Sequence, residues 1–377
     1  MSGAKRILIV GGGISGMTLA AAAQLRGIDV VVVEKARPQD QLGTGINLQN
    51  NALQALREIG VLDECLAAGF GWNTITTCDA SGKQLDKREL PWKLEPGMPG
   101  ALGIMRTTLA QILAKRSTEL GAKILYQTQV SQLEQLDDGV RVTLSDGTVE
   151  TVDVVAASDG VYSPTRRLVF GDEHAPFYAG QGAWRYTIPR PRTLDGFTIF
   201  RAANGLAVGA LPLAPDLAYY FILESTETTQ WFEPDQLPHR MAELLSHFDA
   251  PEIREALDGV HNGGHISFRP FDILLMPQPW HRGRVVLVGD AAHSLTPQLT
   301  SGGGMAIEDG VVLADELART DDVEAALTAY GRRREGRVGP IYENSLRICE
   351  IEKGNHREGD DGVRIFVDSF KLLADRY

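Results

Sequence analysis

Residues 7–16, Ile-Leu-Ile-Val-Gly-Gly-Gly-Ile-Ser-Gly, restrict this chain more than any other stretch. The apolar run 7–10 reads as a short buried strand, and 14–26 reads as a helix closed by Gly27. A second strand follows at 29–33 and ends on Glu34. This βαβ order commits the chain to a parallel sheet. Between strand and helix stands Gly11-x-Gly13-x-x-Gly16. Gly11 permits a tight turn, Gly13 lets a pyrophosphate approach the backbone, and Gly16 lets helix and strand pack closely. The helix start, Ile14 and Ser15, offers unpaired N–H groups and the positive end of its dipole. Glu34, followed by Lys35, is placed to accept hydrogen bonds from an adenosine ribose.

The same stretch has a competing interpretation. Lys5-Arg6 before an uncharged run resembles a secretory signal, but four glycines interrupt the run where a signal needs leucine. No other stretch is long and apolar enough to span a bilayer. The net charge of −12 argues against nucleic acid and against an anionic membrane surface. The one dense basic run, Arg332-Arg333-Arg334, reads as a solvated helix end. Cys65, Cys78 and Cys349 form no C-x-x-C pair, which fits a reducing cytoplasm and leaves no redox-active disulfide. No metal site is expected: His261 and His265 are separated by Gly263-Gly264 and share no helix face.

Further along, helices are expected at 50–59 and 107–120, with an irregular stretch of strands and loop at 72–100. Strands follow at 124–127, 131–136, 140–144, 148–152 and 154–157, with hairpin turns at Asp138-Gly139 and Asp146-Gly147. Residues 176–276 alternate as strands (182–188, 196–201, 206–212, 217–224) with one helix at 238–248. A buried strand at 285–288 and helices at 305–317 and from 322 return to the first pattern. The expected fold is α/β. A Rossmann-like, discontinuous cofactor domain (1–71, 101–175, 277–377) carries an inserted β-rich substrate domain (72–100, 176–276).

Two later segments separate FAD from NAD. Residues 153–166 contain Asp159-Gly160, and 284–293 contain Gly289-Asp290. Together with the glycine fingerprint they resemble the FAD-dependent aromatic hydroxylases of the para-hydroxybenzoate hydroxylase type, in order, from residue 7 to about 317. The resemblance implies non-covalent FAD, with NAD(P)H as a transient reductant. It assigns to the cofactor Gly11, Gly13, Ile14, Ser15, Gly16, Glu34, Lys35, Gly45, Arg106, Val130, Asp159, Asp290, Pro297, Gly302, Gly303 and Gly304. Asp290 follows a buried strand, where it can bind a ribityl hydroxyl or cap a helix. At the segment that passes the flavin ring the family has Gly-Gln-Gly. This chain has Thr300-Ser301-Gly302 followed by Gly303-Gly304.

By the same resemblance the activity is monooxygenation of a small aromatic substrate with O₂, through a flavin C4a-hydroperoxide. An epoxidase, dehydrogenase or halogenase on this fold is the alternative, as is a module that binds lipidated partners. Residues 184–189 partly match a halogenase signature, with Tyr186 in place of its second Trp. Arg185, Tyr186, Tyr219 and His265 are the substrate candidates, and no catalytic base is identified. Oligomeric state is not legible.

Overall fold

A computed structural model describes residues 5–38, 43–90, 92–262 and 265–377. Gly263 and Gly264 therefore lie outside the described residues. The central sheet has six strands in the order His281–Arg282, Val285–Leu287, Val154–Ala157, Arg6–Val10, Asp29–Glu34 and Lys123–Tyr126. All pairs are parallel except the edge pair His281–Arg282 with Val285–Leu287. Its inner strands are apolar apart from charged residues at the ends of two of them, because both faces are covered. Helices Ile14–Leu25, Arg106–Glu119 and Gly302–Arg319 pack on one face, and a three-stranded antiparallel meander (Val130–Gln135, Val140–Leu144, Val149–Val152) covers the other. The chain leaves Arg6–Val10 for one neighbour and returns later on its other side, so the switch point of the sheet falls beside Gly11.

An eight-stranded sheet stands against this layer. Its order is His293–Ser294, Ile266–Leu275, Phe177–Pro189, Leu217–Ser225, Ala207–Ala214, Phe197–Arg201, Thr74–Asp79 and Gln84–Glu89. Helices Gln236–Leu245 and Pro251–His261 bury one of its faces around Trp184, Tyr186 and Tyr220. A small sheet of Gly45–Gln49, Ala101–Met105 and Phe70–Trp72 sits between the two layers. The α/β expectation with a β-rich second sheet is thus what the chain forms.

As expected, the stretch 72–100 forms strands and a loop outside the central sheet, and two of its strands join the large sheet. Other expectations need revision. The single helix at 238–248 is two helices, and a ten-residue strand, Ile266–Leu275, follows them. The helix expected from 322 is present and runs thirty residues, Val323–Glu352, and a further helix, Gly362–Ala374, follows it. Arg332-Arg333-Arg334 lies inside the long helix, and Arg334 is fully buried. A buried guanidinium is tolerated here because Glu308 and Asp309 face it from the neighbouring helix.

Candidate active site

The ends of the parallel strands, the start of the helix Gly302–Arg319, the strand Gly45–Gln49 and one face of the eight-stranded sheet enclose a cavity of about 380 Å³. Gly13, Ile14, Ser15, Gly45, Arg106, Asp290, Pro297, Gly302 and Gly303 line it, together with Arg185 and Tyr219. The other assigned residues stand back from the lining. Gly11 adopts φ +104°, and a Cβ there would lie 2.3 Å from the Ser158 carbonyl oxygen. A Cβ on Gly16 would lie 2.0 Å from the Gly11 carbonyl oxygen, so both glycines serve close backbone packing. Gly304 packs on Asn51. Glu34 accepts hydrogen bonds from the N–H of Gly12 (2.6 Å) and of Ala36 (2.8 Å), with Lys35 exposed beside it. Asp159 is engaged within its own loop by the Ser163 hydroxyl and the Thr165 N–H. Val130 begins a meander strand on the far face of the central sheet.

Two glycines show what the cavity can receive. A Cβ on Gly13 or on Gly302 would meet no protein atom within 4 Å, although both line the cavity. Packing does not require glycine at these positions, whereas a ligand lying on the backbone does. Each marks a helix start with no side-chain cap. Ser301, which precedes Gly302, turns its hydroxyl to the Leu299 carbonyl instead (2.7 Å). Free N–H groups at two helix starts thus open into one cavity, which suits a diphosphate at one end and an electron-rich ring edge at the other. The residues present fit an FAD.

The charges agree with that fit. Arg106 and Asp290 sit deep in the molecule, yet both side chains are exposed to the cavity. Burial lowers the Arg106 pKa, and Asp290 partly offsets this while Arg185 adds to it. Burial raises the Asp290 pKa against the pull of Arg106 and His293. Arg106 and Arg185 have no side-chain hydrogen bond or ion pair among the described residues, so two cations are left for a ligand.

Behind Asp290 lies a buried network that sequence inspection missed. Asp309 accepts from the Gly289 N–H (2.7 Å) and from Arg334 Nε (2.6 Å), and it pairs with His293 Nε2 (2.6 Å). Arg334 also donates to Glu308 (2.5 Å). Burial alone would raise the Asp309 pKa; His293 and Arg334 instead hold it well below the usual carboxylate range. Thr300 was visible in the sequence only as a departure from the family pattern. It adopts left-handed φ +49°, a conformation that costs a β-branched residue on the order of 1–3 kcal/mol. Its hydroxyl accepts from Asn47 Nδ2 (3.1 Å) and Gln49 Nε2 (2.8 Å).

The large sheet supplies an aromatic wall. Tyr219 and Phe221 stack at 5.6 Å, Phe221 and Phe197 at 6.0 Å, and all three line the cavity with Phe271. Pleating separates the substrate candidates. Arg185 points to the cavity, so Trp184 and Tyr186 point to the helical layer, where Tyr186 is 1 % exposed and its hydroxyl packs against Gly259. His265 is exposed just before the strand Ile266–Leu275, away from the lining residues. The structure therefore brings Arg185 and Tyr219 to the cavity and leaves Tyr186 and His265 out. Among the described residues no cluster of metal-ligating side chains occurs, and no helix is long and apolar enough to cross a membrane.

Comparison with known proteins agrees with this geometry. The family described as FAD binding domain matches residues 5–345. YetM of Bacillus subtilis (strain 168), a protein assigned to the FAD-dependent monooxygenases, is 34% identical over 376 residues, covering 99% of this chain and 100% of that protein. The 2-heptyl-3-hydroxy-4(1H)-quinolone synthase of Pseudomonas aeruginosa (strain UCBPP-PA14) is 32% identical, covering 92% of this chain and 89% of that protein. In fold, the chain matches Klebsiella pneumoniae HpxO complexed with FAD and uric acid. That match has a TM-score of 0.82 at 24% identity, and covers 98% of this chain and 92% of that one. Fingerprint, cavity and relatives converge, and the chain belongs to the FAD-binding domain family, among the FAD-dependent monooxygenases of the aromatic-hydroxylase type.

Proposed function

We propose that this protein hydroxylates a small, flat aromatic substrate, using NAD(P)H and O₂. One observation carries the reading: the cofactor-side residues and an aromatic wall bearing Arg185, which has no hydrogen-bond or ion-pair partner among the described residues, line the same cavity. The start of the helix Ile14–Leu25 would hold the FAD diphosphate, and Glu34 the adenosine ribose. Arg106 and Asp290 would hold the ribityl and phosphate region, and Gly302 to Gly304 the ring. When bound, FAD supplies the oxygen chemistry. The protein's part is to orient, to exclude water and to place charge.

Phe197, Tyr219, Phe221 and Phe271 give a planar substrate an apolar bed. Arg185 gives it a cation that favours an acidic or deprotonated hydroxyl, carbonyl or carboxylate group. The Pseudomonas aeruginosa relative is named for a hydroxyquinolone and the Klebsiella pneumoniae structure holds uric acid, both built on planar fused rings that contain nitrogen. The three buried, unpaired thiols support a reducing, cytoplasmic setting. NAD(P)H enters transiently, since the chain has one dinucleotide fingerprint.

Each turnover consumes substrate, NAD(P)H, a proton and O₂, and it yields hydroxylated substrate, NAD(P)⁺ and water. The test is turnover under ¹⁸O₂ with mass spectrometry of the product of a screened aromatic library. One labelled oxygen is expected. An oxidised product without label, with all oxygen recovered as peroxide, would overturn the reading in favour of a dehydrogenase or oxidase.

A further inference from the structure

We propose that Thr300 is a positioning residue for the cofactor ring, clamped by the side-chain amides of Asn47 and Gln49. This rests on the reading that the FAD ring lies against the start of the helix Gly302–Arg319.

Thr300 is one of two non-glycine residues with positive φ among the described residues, the other being Gln127. Only Thr300 of the two lines the cavity. β-Branched residues rarely adopt this conformation, so something must hold it. Asn47 and Gln49 stand two apart on the strand Gly45–Gln49, hence on one face, and both amides reach the Thr300 hydroxyl. Gln49 Nε2 also donates to the Leu299 carbonyl (2.6 Å), and the Thr300 N–H closes the turn on the Pro297 carbonyl (2.8 Å). The turn that leads into Gly302 is thereby tied to a neighbouring strand that also lines the cavity.

Without the clamp, a β-branched residue relaxes to negative φ, and the turn re-aims the helix start. The free N–H groups of that start act on charge. Taking up two electrons and one proton leaves the flavin ring with one negative charge, while the oxidised ring is neutral. Their aim therefore matters more for reduced than for oxidised cofactor. The signature of a lost clamp is a lower midpoint potential with oxidised FAD still bound, which a merely structural threonine would not give.

The experiment loads wild type, Thr300→Val and Thr300→Ser with FAD and reduces each anaerobically with xanthine and xanthine oxidase against a reference dye. Affinity for oxidised FAD is followed by fluorescence. Thr300→Val keeps the shape and loses the acceptor. It should disfavour the reduced form about tenfold, a fall of about 30 mV for a two-electron couple. Thr300→Ser should restore the wild-type value. A Thr300→Val midpoint equal to wild type overturns the proposal. Should Thr300→Val not fold, Asn47→Ala and Gln49→Ala each remove one donor, and unchanged midpoints in both overturn it equally. Gly302→Leu separates the clamp from the placement of the cofactor, because its side chain would fill open cavity. Blocked FAD uptake in Gly302→Leu beside an unchanged Thr300→Val midpoint refutes the clamp alone. Normal FAD uptake in Gly302→Leu refutes the placement, and the clamp with it.

Discussion

Arg334→Met tests whether the buried network behind the cofactor turn holds the protein together. Arg334 donates to Asp309 (2.6 Å), to Glu308 (2.5 Å) and to the Met305 carbonyl (3.2 Å), and its side chain is 1% exposed. Methionine fills similar space and removes the cation that the two buried carboxylates share, leaving Asp309 with His293 and Glu308 with Arg337 at 3.6 Å. Removing one partner of a buried ion pair costs about 3–5 kcal/mol. An unfolding entropy of about 2.1 cal/mol/K per residue over 377 residues gives roughly 0.8 kcal/mol/K. The thermal midpoint should therefore fall by about 4–6 °C. The sign of the pH dependence follows from Asp309. Its lowered native pKa contributes stability that is present above the unfolded aspartate value and is lost as pH falls toward the native value. In the variant, burial with one cation fewer raises the carboxylate pKa values relative to wild type, so their charged forms cost stability as pH rises. The gap between wild type and variant should be wider at pH 8 than at pH 5.5. Differential scanning calorimetry of FAD-free protein at both pH values measures it. A midpoint within 1 °C of wild type at pH 8, or a gap that widens on acidification, would refute the reasoning.

Arg185→Ala should raise KM for an acidic aromatic substrate roughly 10- to 100-fold, the worth of one charge-assisted hydrogen bond, with the bound-flavin spectrum unchanged. An unchanged KM would move the substrate anion elsewhere. Glu34→Ala should weaken FAD binding by about 1.5–3 kcal/mol in a fluorescence titration while calorimetry of the FAD-free protein shifts less. Tyr186→Phe should leave KM and the flavin spectrum as in wild type, because the ring faces the helical layer. Tyr219→Phe should alter one of them, and steady-state kinetics on both variants decides the point.

The first βαβ unit and the buried strand before Asp290 were legible because a parallel strand covered on both faces shows as an uninterrupted apolar run. The large sheet was harder. Gln84–Glu89 is a charged edge strand with no apolar alternation to detect. Ile266–Leu275 carries Pro270 in its middle, next to the shift in its pairing with Phe177–Pro189, where a missing N–H is tolerated. Candidates for the site could have been thinned from the sequence alone. Arg185 and Tyr186 are neighbours in a strand, so only one of them can face a given side. Arg334 was beyond reach, since an arginine in a basic run shows its burial only through Glu308 and Asp309, more than twenty residues earlier.

The order of the central sheet also sets a timetable for synthesis. The strand Arg6–Val10 pairs with Val154–Ala157, and that strand pairs with Val285–Leu287. A ribosome adding about 5–20 residues per second reaches the last of these on the order of ten to fifty seconds after completing the second strand. Until then the growing sheet ends on Val154–Ala157, an apolar edge with no neighbour, the kind of surface that chaperones hold. The glycine turn leaves the ribosome well before the segment carrying Gly289-Asp290, yet its cradle closes only when that segment arrives beside it.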